Sequence, residues 1–166
     1  NDFYDPALKR ANAAEFAERH AWQLVEGDIR DAALVDRLFA AGRFDAVIHL
    51  AARAGVRPSL VEPILYEEVN CIGTLRLLEA ARKFGCERLV HCSTGGVHGH
   101  IEVGPANEAY RFAPDDVYQR SKLEGEQAAV AASQRGQPVA IFRPGPIYGE
   151  GDLRFLKLFR SIQKRL

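Results

Sequence analysis

The segment Val117-Tyr118-Gln119-Arg120-Ser121-Lys122-Leu123-Glu124-Gly125-Glu126 sets a phenol four residues ahead of an ammonium. The residues from Lys122 to Ser133 are nearly all good helix formers rich in alanine, so the spacing predicts Tyr118 and Lys122 one turn apart on one helix face. A phenol with an ordinary pKa of about 10 is a poor base near neutrality, but a neighbouring cation favours the phenolate and lowers that value. Such a pair can move a proton to or from a hydroxyl group. Because a Tyr-x-x-x-Lys match arises often by chance, its meaning depends on the elements that would position it.

Those elements belong to one domain. The 166 residues, 47% apolar and 27% charged, suit a single globular unit with a real core. Twenty-two basic and 22 acidic residues give a formal net charge of +0, which removes any electrostatic case for a nucleic-acid or membrane partner and favours a small molecule. Cys71, Cys86 and Cys92 form no Cys-x-x-Cys pair and are odd in number, which suits a reducing compartment. With no secretory signal and no apolar run of spanning length, a cytoplasmic protein is expected. The chain does not begin with Met, opens in a turn-like Asn1-Asp2-Phe3-Tyr4-Asp5-Pro6 and stops inside an expected helix at Leu166, so both ends read as cut.

In order, Pro6 to His20 reads as a helix, with Asp5 as N-cap and Pro6 in its first turn. Trp22 to Ile29 reads as a short strand running into Gly27-Asp28, and Asp31 to Ala41 as a helix with Leu34, Val35, Leu38 and Phe39 at helical spacing, stopped by Gly42. Phe44 to Ala52 is a nearly continuous apolar run, as a parallel strand covered on both faces would be. A loop from Ala54 to Pro63 leads to a helix around Tyr66 to Phe84. Leu89 to Thr94 is the next strand, followed by a Gly-rich polar excursion from Gly95 to Pro114, the Tyr118 helix to about Arg135, a strand over Pro138 to Arg143, a turn from Pro144 to Gly151, and a last helix with Phe155, Leu156, Phe159 and Ile162. Alternating strands and helices predict the α/β class, an open doubly wound parallel sheet. Ligands in such sheets sit beyond the carboxyl ends of the strands, here Asp28-Ile29, Leu50-Ala51-Ala52, Ser93-Thr94 and Arg143-Pro144-Gly145.

Taken in this order, Gly27-Asp28-Ile29-Arg30-Asp31, His49-Leu50-Ala51-Ala52, Cys92-Ser93-Thr94-Gly95-Gly96-Val97-His98-Gly99 and the Tyr118/Lys122 pair resemble the extended short-chain dehydrogenase/reductase family, the NAD-dependent sugar-nucleotide epimerases and dehydratases. Asn1 to Lys9, Ala51 to Ser59 and Asn70-Cys71-Ile72-Gly73-Thr74-Leu75 are most similar to its UDP-glucuronate 4-epimerase branch. The resemblance implies a Rossmann-like fold, NAD as cofactor, a nucleotide sugar as substrate and a homodimer built on the helices near Tyr66 to Phe84 and Pro114 to Arg135. It makes Tyr118 the acid/base and Lys122 its pKa-lowering partner and ribose ligand. It assigns Thr94, with Ser93 beside it, to the substrate hydroxyl. It implies that Asp28 bonds the adenine amine and Ile29 packs on the ring, that Leu50, Ala51 and Ala52 line the cofactor channel, that Asn70 lies beneath it and that Pro144 borders it. Asp28 has a second reading, as a cap of the helix near Asp31.

The sequence departs from that family in several places. No Gly-x-x-Gly-x-x-Gly turn and no second-strand acid are present, so residues 1–166 are expected to form a partial NAD-binding domain that lacks the opening βαβ unit and the carboxyl-terminal substrate domain. Gly95-Gly96 stands where the resemblance places Asp-Glu in 4,6-dehydratases, which disfavours water elimination. His98 and Pro146 stand where Tyr and Asn are usual, and Pro144-Gly145-Pro146 is equally similar to the reductase and sterol-dehydrogenase side. An NAD(P)-dependent alcohol dehydrogenase on a non-nucleotide substrate is therefore a second reading, and a non-catalytic nucleotide-binding relative a third.

Other residues carry less. His98 and His100 are two ligands without a third, so no metal is expected. Cys92 has no base near it and reads as a small buried thiol. Arg57 reads equally as a ligand for a substrate phosphate or carboxylate and as a surface arginine. The basic run Arg160 to Arg165 reads as the solvated face of an amphipathic helix.

Overall fold

The computed structural model describes residues 5–19, 22–149 and 156–164. Parts of the expected elements at residues 1–4, His20, 150–151 and Phe155 lie outside them, as do Arg165 and Leu166.

Helix α1, Pro6–Arg19, starts as its sequence predicts, with the Asp5 carboxylate accepting from the Ala7 N–H at 2.9 Å. Residues 22–28 form no strand, contrary to expectation. A strand needs a partner for its backbone, and among the described residues none pairs with this segment, whose Leu24 and Val25 stand exposed. Helix α2, Ala32–Gly42, is capped by Asp31, whose carboxylate accepts from Leu34 N–H at 3.0 Å. Gly42 does not stop it. Arg43 does, in the left-handed conformation at φ 43°, while Gly42 leaves room for the Phe44 ring, which a Cβ there would meet at 2.3 Å. Phe44 in turn meets Phe39 edge to face at 5.5 Å.

Strands β1, Ala46–His49, β2, Arg88–Cys92, and β3, Val139–Phe142, form one parallel sheet in sequence order, with His49 opposite His91 and His91 opposite Ile141. After β1 come the short helices α3, Val56–Val61, and α4, Pro63–Glu67. Helix α4 runs through a π turn, Glu68–Ile72, into α5, Gly73–Lys83. Pro63 opens this long helix three residues ahead of the expected start, as proline's fixed φ permits. The excursion after β2 begins with a 3₁₀ turn, Gly95–His98. Helix α6, Val117–Gln134, is capped by Asp116, which accepts from Gln119 N–H at 2.8 Å. The last helix, α7, covers Leu156–Gln163.

The alternation of side chains along each strand decides what is buried. Val47, Leu89, Val139 and Ile141 point to one face, where they meet Val35 and Phe39 of α2, Leu78 and Ala81 of α5, and Ala129 and Ala132 of α6. That single layer of helices is the core, and it fixes α6 against the carboxyl ends of the strands. On the opposite face Ile48 and Phe142 are exposed, so among the described residues the helices cover one face of the sheet.

Candidate active site

The site is built where β1, β2 and β3 end against α6. Tyr118, Lys122 and the buried Glu126 follow one another at one-turn spacing along α6. Thr94, just past the end of β2, caps the 3₁₀ turn by accepting from Gly96 N–H at 3.2 Å, and its side chain lies near enough to the Tyr118 phenol to lower that group's pKa. Pro144, just past β3, pins the same turn through its carbonyl, which accepts from Gly95 N–H at 2.8 Å. Thr94, Tyr118 and Lys122 are thus brought together as the sequence predicts. Ser93 is buried behind Thr94, its Oγ without a hydrogen-bond partner.

The floor of the site is a buried polar lattice centred on Asn70. The π turn carries this side chain inward. Its Oδ1 accepts from Arg53 N–H at 2.8 Å, and its Nδ2 donates to Arg53 O at 3.1 Å and Ser121 Oγ at 2.9 Å. Ser121 donates to Tyr118 O at 2.9 Å, so one asparagine locks the backbone after β1 to the Tyr118 turn of α6. The close approach needs Gly125, where a Cβ would lie 2.4 Å from Asn70 O. Thr74 donates to Asn70 O at 2.7 Å and therefore accepts from His49 Nε2–H at 2.9 Å, which fixes that histidine's tautomer.

The electrostatics correct one expectation. Tyr118 is not activated by Lys122 in this arrangement: burial raises the phenol's pKa, Thr94 only partly opposing it. Lys122 donates instead to Cys92 O at 2.6 Å, and burial lowers its own pKa, with Cys92 and Glu126 opposing. Beneath Lys122 lie His49 and His91, ring centroids 5.2 Å apart, held down to about 4 and about 3 by burial and then by the nearby ammonium. Both are therefore neutral near pH 7. Cys92 is part-buried where a buried thiol was expected, and that burial raises its thiol pKa.

At the end of β1, Gly27, Asp28, Ile29, Arg30, Ala51, Ala52, Arg53, Glu62, Leu65 and Val69 surround a cavity of about 510 Å³. It joins four of the expected cofactor contacts, Asp28, Ile29, Ala51 and Ala52, from two separate segments, with small residues at 51 and 52 that let a ligand approach the backbone. Asp28 does not cap α2, and Arg30 engages both its carboxylate oxygens at 2.8 to 3.1 Å, which lowers its pKa. Ile29 rests against Gly73, where a Cβ would meet it at 2.6 Å. Leu50 is exposed. Arg57 stands exposed on α3. The buried arginine is Arg53, paired with Glu62 at 2.7 Å, a residue to which the sequence reading gave no role. No group of three or more metal-binding side chains occurs among the described residues; His98 donates through Nδ1 to Arg111 O at 3.0 Å. Nor is any described helix long and apolar enough to cross a membrane.

The chain is similar to several known proteins. UDP-glucuronate 4-epimerase 3 of Arabidopsis thaliana is 40% identical over 131 residues, 78% of this chain and 30% of its own length. UDP-glucuronate 4-epimerase of Thermodesulfobacterium geofontis is 32% identical over 165 residues, 98% of this chain and 51% of its own. The chain therefore spans about a third to a half of these relatives. Among solved structures, dTDP-glucose 4,6-dehydratase DesIV of Streptomyces venezuelae, with NAD and TYD bound, superposes with TM-score 0.79 at 32% identity, covering 93% of this chain and 49% of that one. Thermus thermophilus UDP-glucose 4-epimerase in complex with NAD gives 0.67 at 36% identity, covering 75% and 43%. The sequence profile of the NAD dependent epimerase/dehydratase family matches residues 6–164. With a Rossmann-like α/β sheet, a Thr-Tyr-Lys constellation at its carboxyl edge and a family match over nearly its whole length, this chain belongs to the NAD dependent epimerase/dehydratase family.

Proposed function

We propose that the protein containing this chain is an NAD-dependent 4-epimerase of a nucleotide sugar, with a UDP-hexuronate such as UDP-glucuronate as substrate. The observation that carries the reading is Thr94 at the end of β2 acting on the Tyr118 phenol, with Lys122 one turn on along α6, at the strand ends that also border a cavity lined by Asp28, Ile29, Ala51 and Ala52. The cavity and its small lining residues fit the adenosine end of NAD, and Asn70 sits directly beneath.

Bound NAD supplies a hydride acceptor that returns what it takes. Thr94 holds the sugar hydroxyl in line with the phenol, and Tyr118 removes its proton as the C–H bond is broken and restores it on return. Lys122, held by Cys92 O, offers its remaining N–H donors to the cofactor ribose. Because Tyr118 has a raised pKa here, the phenolate must be generated with ligands in place. Gly95 and Gly96 put no carboxyl next to Thr94, so the step that would eliminate water has no acid or base there. We read the protein as a cytoplasmic homodimer formed through α5 and α6, whose Leu75 and Val130 are exposed.

The test incubates the protein with NAD and UDP-glucuronate and follows both the C4 epimer ratio and nicotinamide absorbance. Epimerisation without net reduced cofactor is expected. Stoichiometric accumulation of reduced cofactor makes the protein a dehydrogenase instead, and cofactor binding without turnover of any nucleotide sugar leaves a non-catalytic relative.

A further inference from the structure

One buried ion pair has no part in the proton and hydride steps above. Glu126 is 1% exposed, one turn beyond Lys122 on α6, and both its oxygens are engaged by Arg143 at 2.6 to 3.1 Å. Arg143 leaves the end of β3 directly before Pro144. Its guanidinium lies 4.9 Å from the centre of the Phe112 ring, donates to Glu108 O at 3.2 Å, and reaches His98 Nε2 at 3.5 Å. His98 is stacked on Phe112. One arginine therefore ties the 99–113 excursion and the Pro144 turn to the helix that carries Tyr118.

A charge so deep needs a reason, since buried pairs are seldom worth more than the apolar packing that could replace them. The groups that face Lys122 supply one. From β1 comes His49, from β2 His91 and the Cys92 carbonyl and thiol, and from its own helix Tyr118 and Glu126. The two histidines are neutral near pH 7 and the thiol is pushed up by burial, so among these groups Glu126 is the anion. Arg143 holds that carboxylate in place through three hydrogen bonds.

We propose that Glu126 is a positioning residue for the reaction assigned above: its carboxylate, fixed by Arg143, is the counter-charge that keeps the buried Lys122 protonated at the site. The role in turnover rests on that assignment; the effect on Lys122 does not. Loss of a facing carboxylate within a turn of a buried ammonium disfavours the charged form, consistent with Cys92 and then Glu126 opposing the downward shift that burial imposes on Lys122.

The experiment is a lysine ¹³Cε NMR titration of the protein, in which there are five lysines and Lys122 is assigned with Lys122→Arg. In Glu126→Gln, close in size to the native side chain, Lys122 should titrate about one pH unit or more below the parent. Glu126→Asp, which keeps the charge but draws it back, should fall between the two. The alkaline limb of the turnover–pH profile should move down by the same interval. A Lys122 titration unchanged in Glu126→Gln overturns the proposal and leaves Glu126 as an anchor for Arg143. If Glu126→Gln does not fold, an unchanged Lys122 in Glu126→Asp overturns it equally. A shifted Lys122 in a protein that turns over no nucleotide sugar upholds the charge pairing and refutes only the epimerase assignment.

Discussion

The buried histidine pair predicts an acid sensitivity that can be worked out from the site. His91 is held at about 3 and His49 at about 4 in the folded chain, against 6.5 when unfolded. A histidine whose folded pKa lies below its unfolded value contributes stability in full above the unfolded pKa and loses it as pH falls toward the folded one. Between about pH 7.5 and about pH 5 each histidine therefore removes about 2 kcal/mol. Glu67 works against them in the same window. Burial and Glu124 raise its carboxyl to about 7, so its contribution is present below about 4.5 and is lost as pH rises through 7. The perturbation must therefore be a difference: urea unfolding of the parent and of His91→Leu, each at both pH values. Leucine fills a comparable space without a site to protonate. The variant should lose about 2 kcal/mol less on acidification than the parent, whatever Glu67 contributes. Equal pH sensitivity of the two proteins would refute a neutral buried His91 beneath Lys122.

Other residues give sharper structural outcomes. Asn70→Ala leaves the Arg53 N–H and carbonyl without that side chain, and should cost about 2 to 4 kcal/mol in denaturant unfolding along with most of the turnover. Gly125→Ala pushes a methyl toward Asn70 O and should cost about 1 to 3 kcal/mol, read as a lower midpoint at unchanged denaturant slope. A Leu75→Glu/Val130→Glu variant should sediment as a monomer where the parent sediments as a dimer; a parent monomer removes the α5–α6 interface.

The sequence carried the parts of this site that local chemistry determines. Asp5 announced the first helix as its cap, while Asp31 and Asp116 prove to cap theirs only in the structure, and the four-residue spacing of Tyr118 and Lys122 needed only a helix to become a shared face. The place of Thr94 just past a strand end, on the ligand edge of a parallel sheet, was legible from the order of strands, whereas its assignment to a substrate hydroxyl came from the family resemblance. What sequence could not show depends on burial. The raised phenol, the Lys122 bond to Cys92 O and the two neutral histidines exist only because strands and helices far apart in the chain enclose them. The π turn that aims Asn70 has no local signature, and Arg53 and Arg57 look alike until one is found beneath Glu62 and the other in solvent. The expected strand over residues 22–29 failed for the same reason: its apolar residues fit a strand, but a ladder requires a partner.

The most direct test is Tyr118→Phe, assayed by NMR for interconversion of UDP-glucuronate and its C4 epimer with NAD present. The account predicts a loss of about 10² to 10⁴ in turnover, with the unfolding midpoint near that of the parent because phenylalanine keeps the ring and its edge-to-face contact with Tyr66. Turnover equal to the parent would contradict it, and with it the assignment of Thr94, Tyr118 and Lys122 as the reacting constellation.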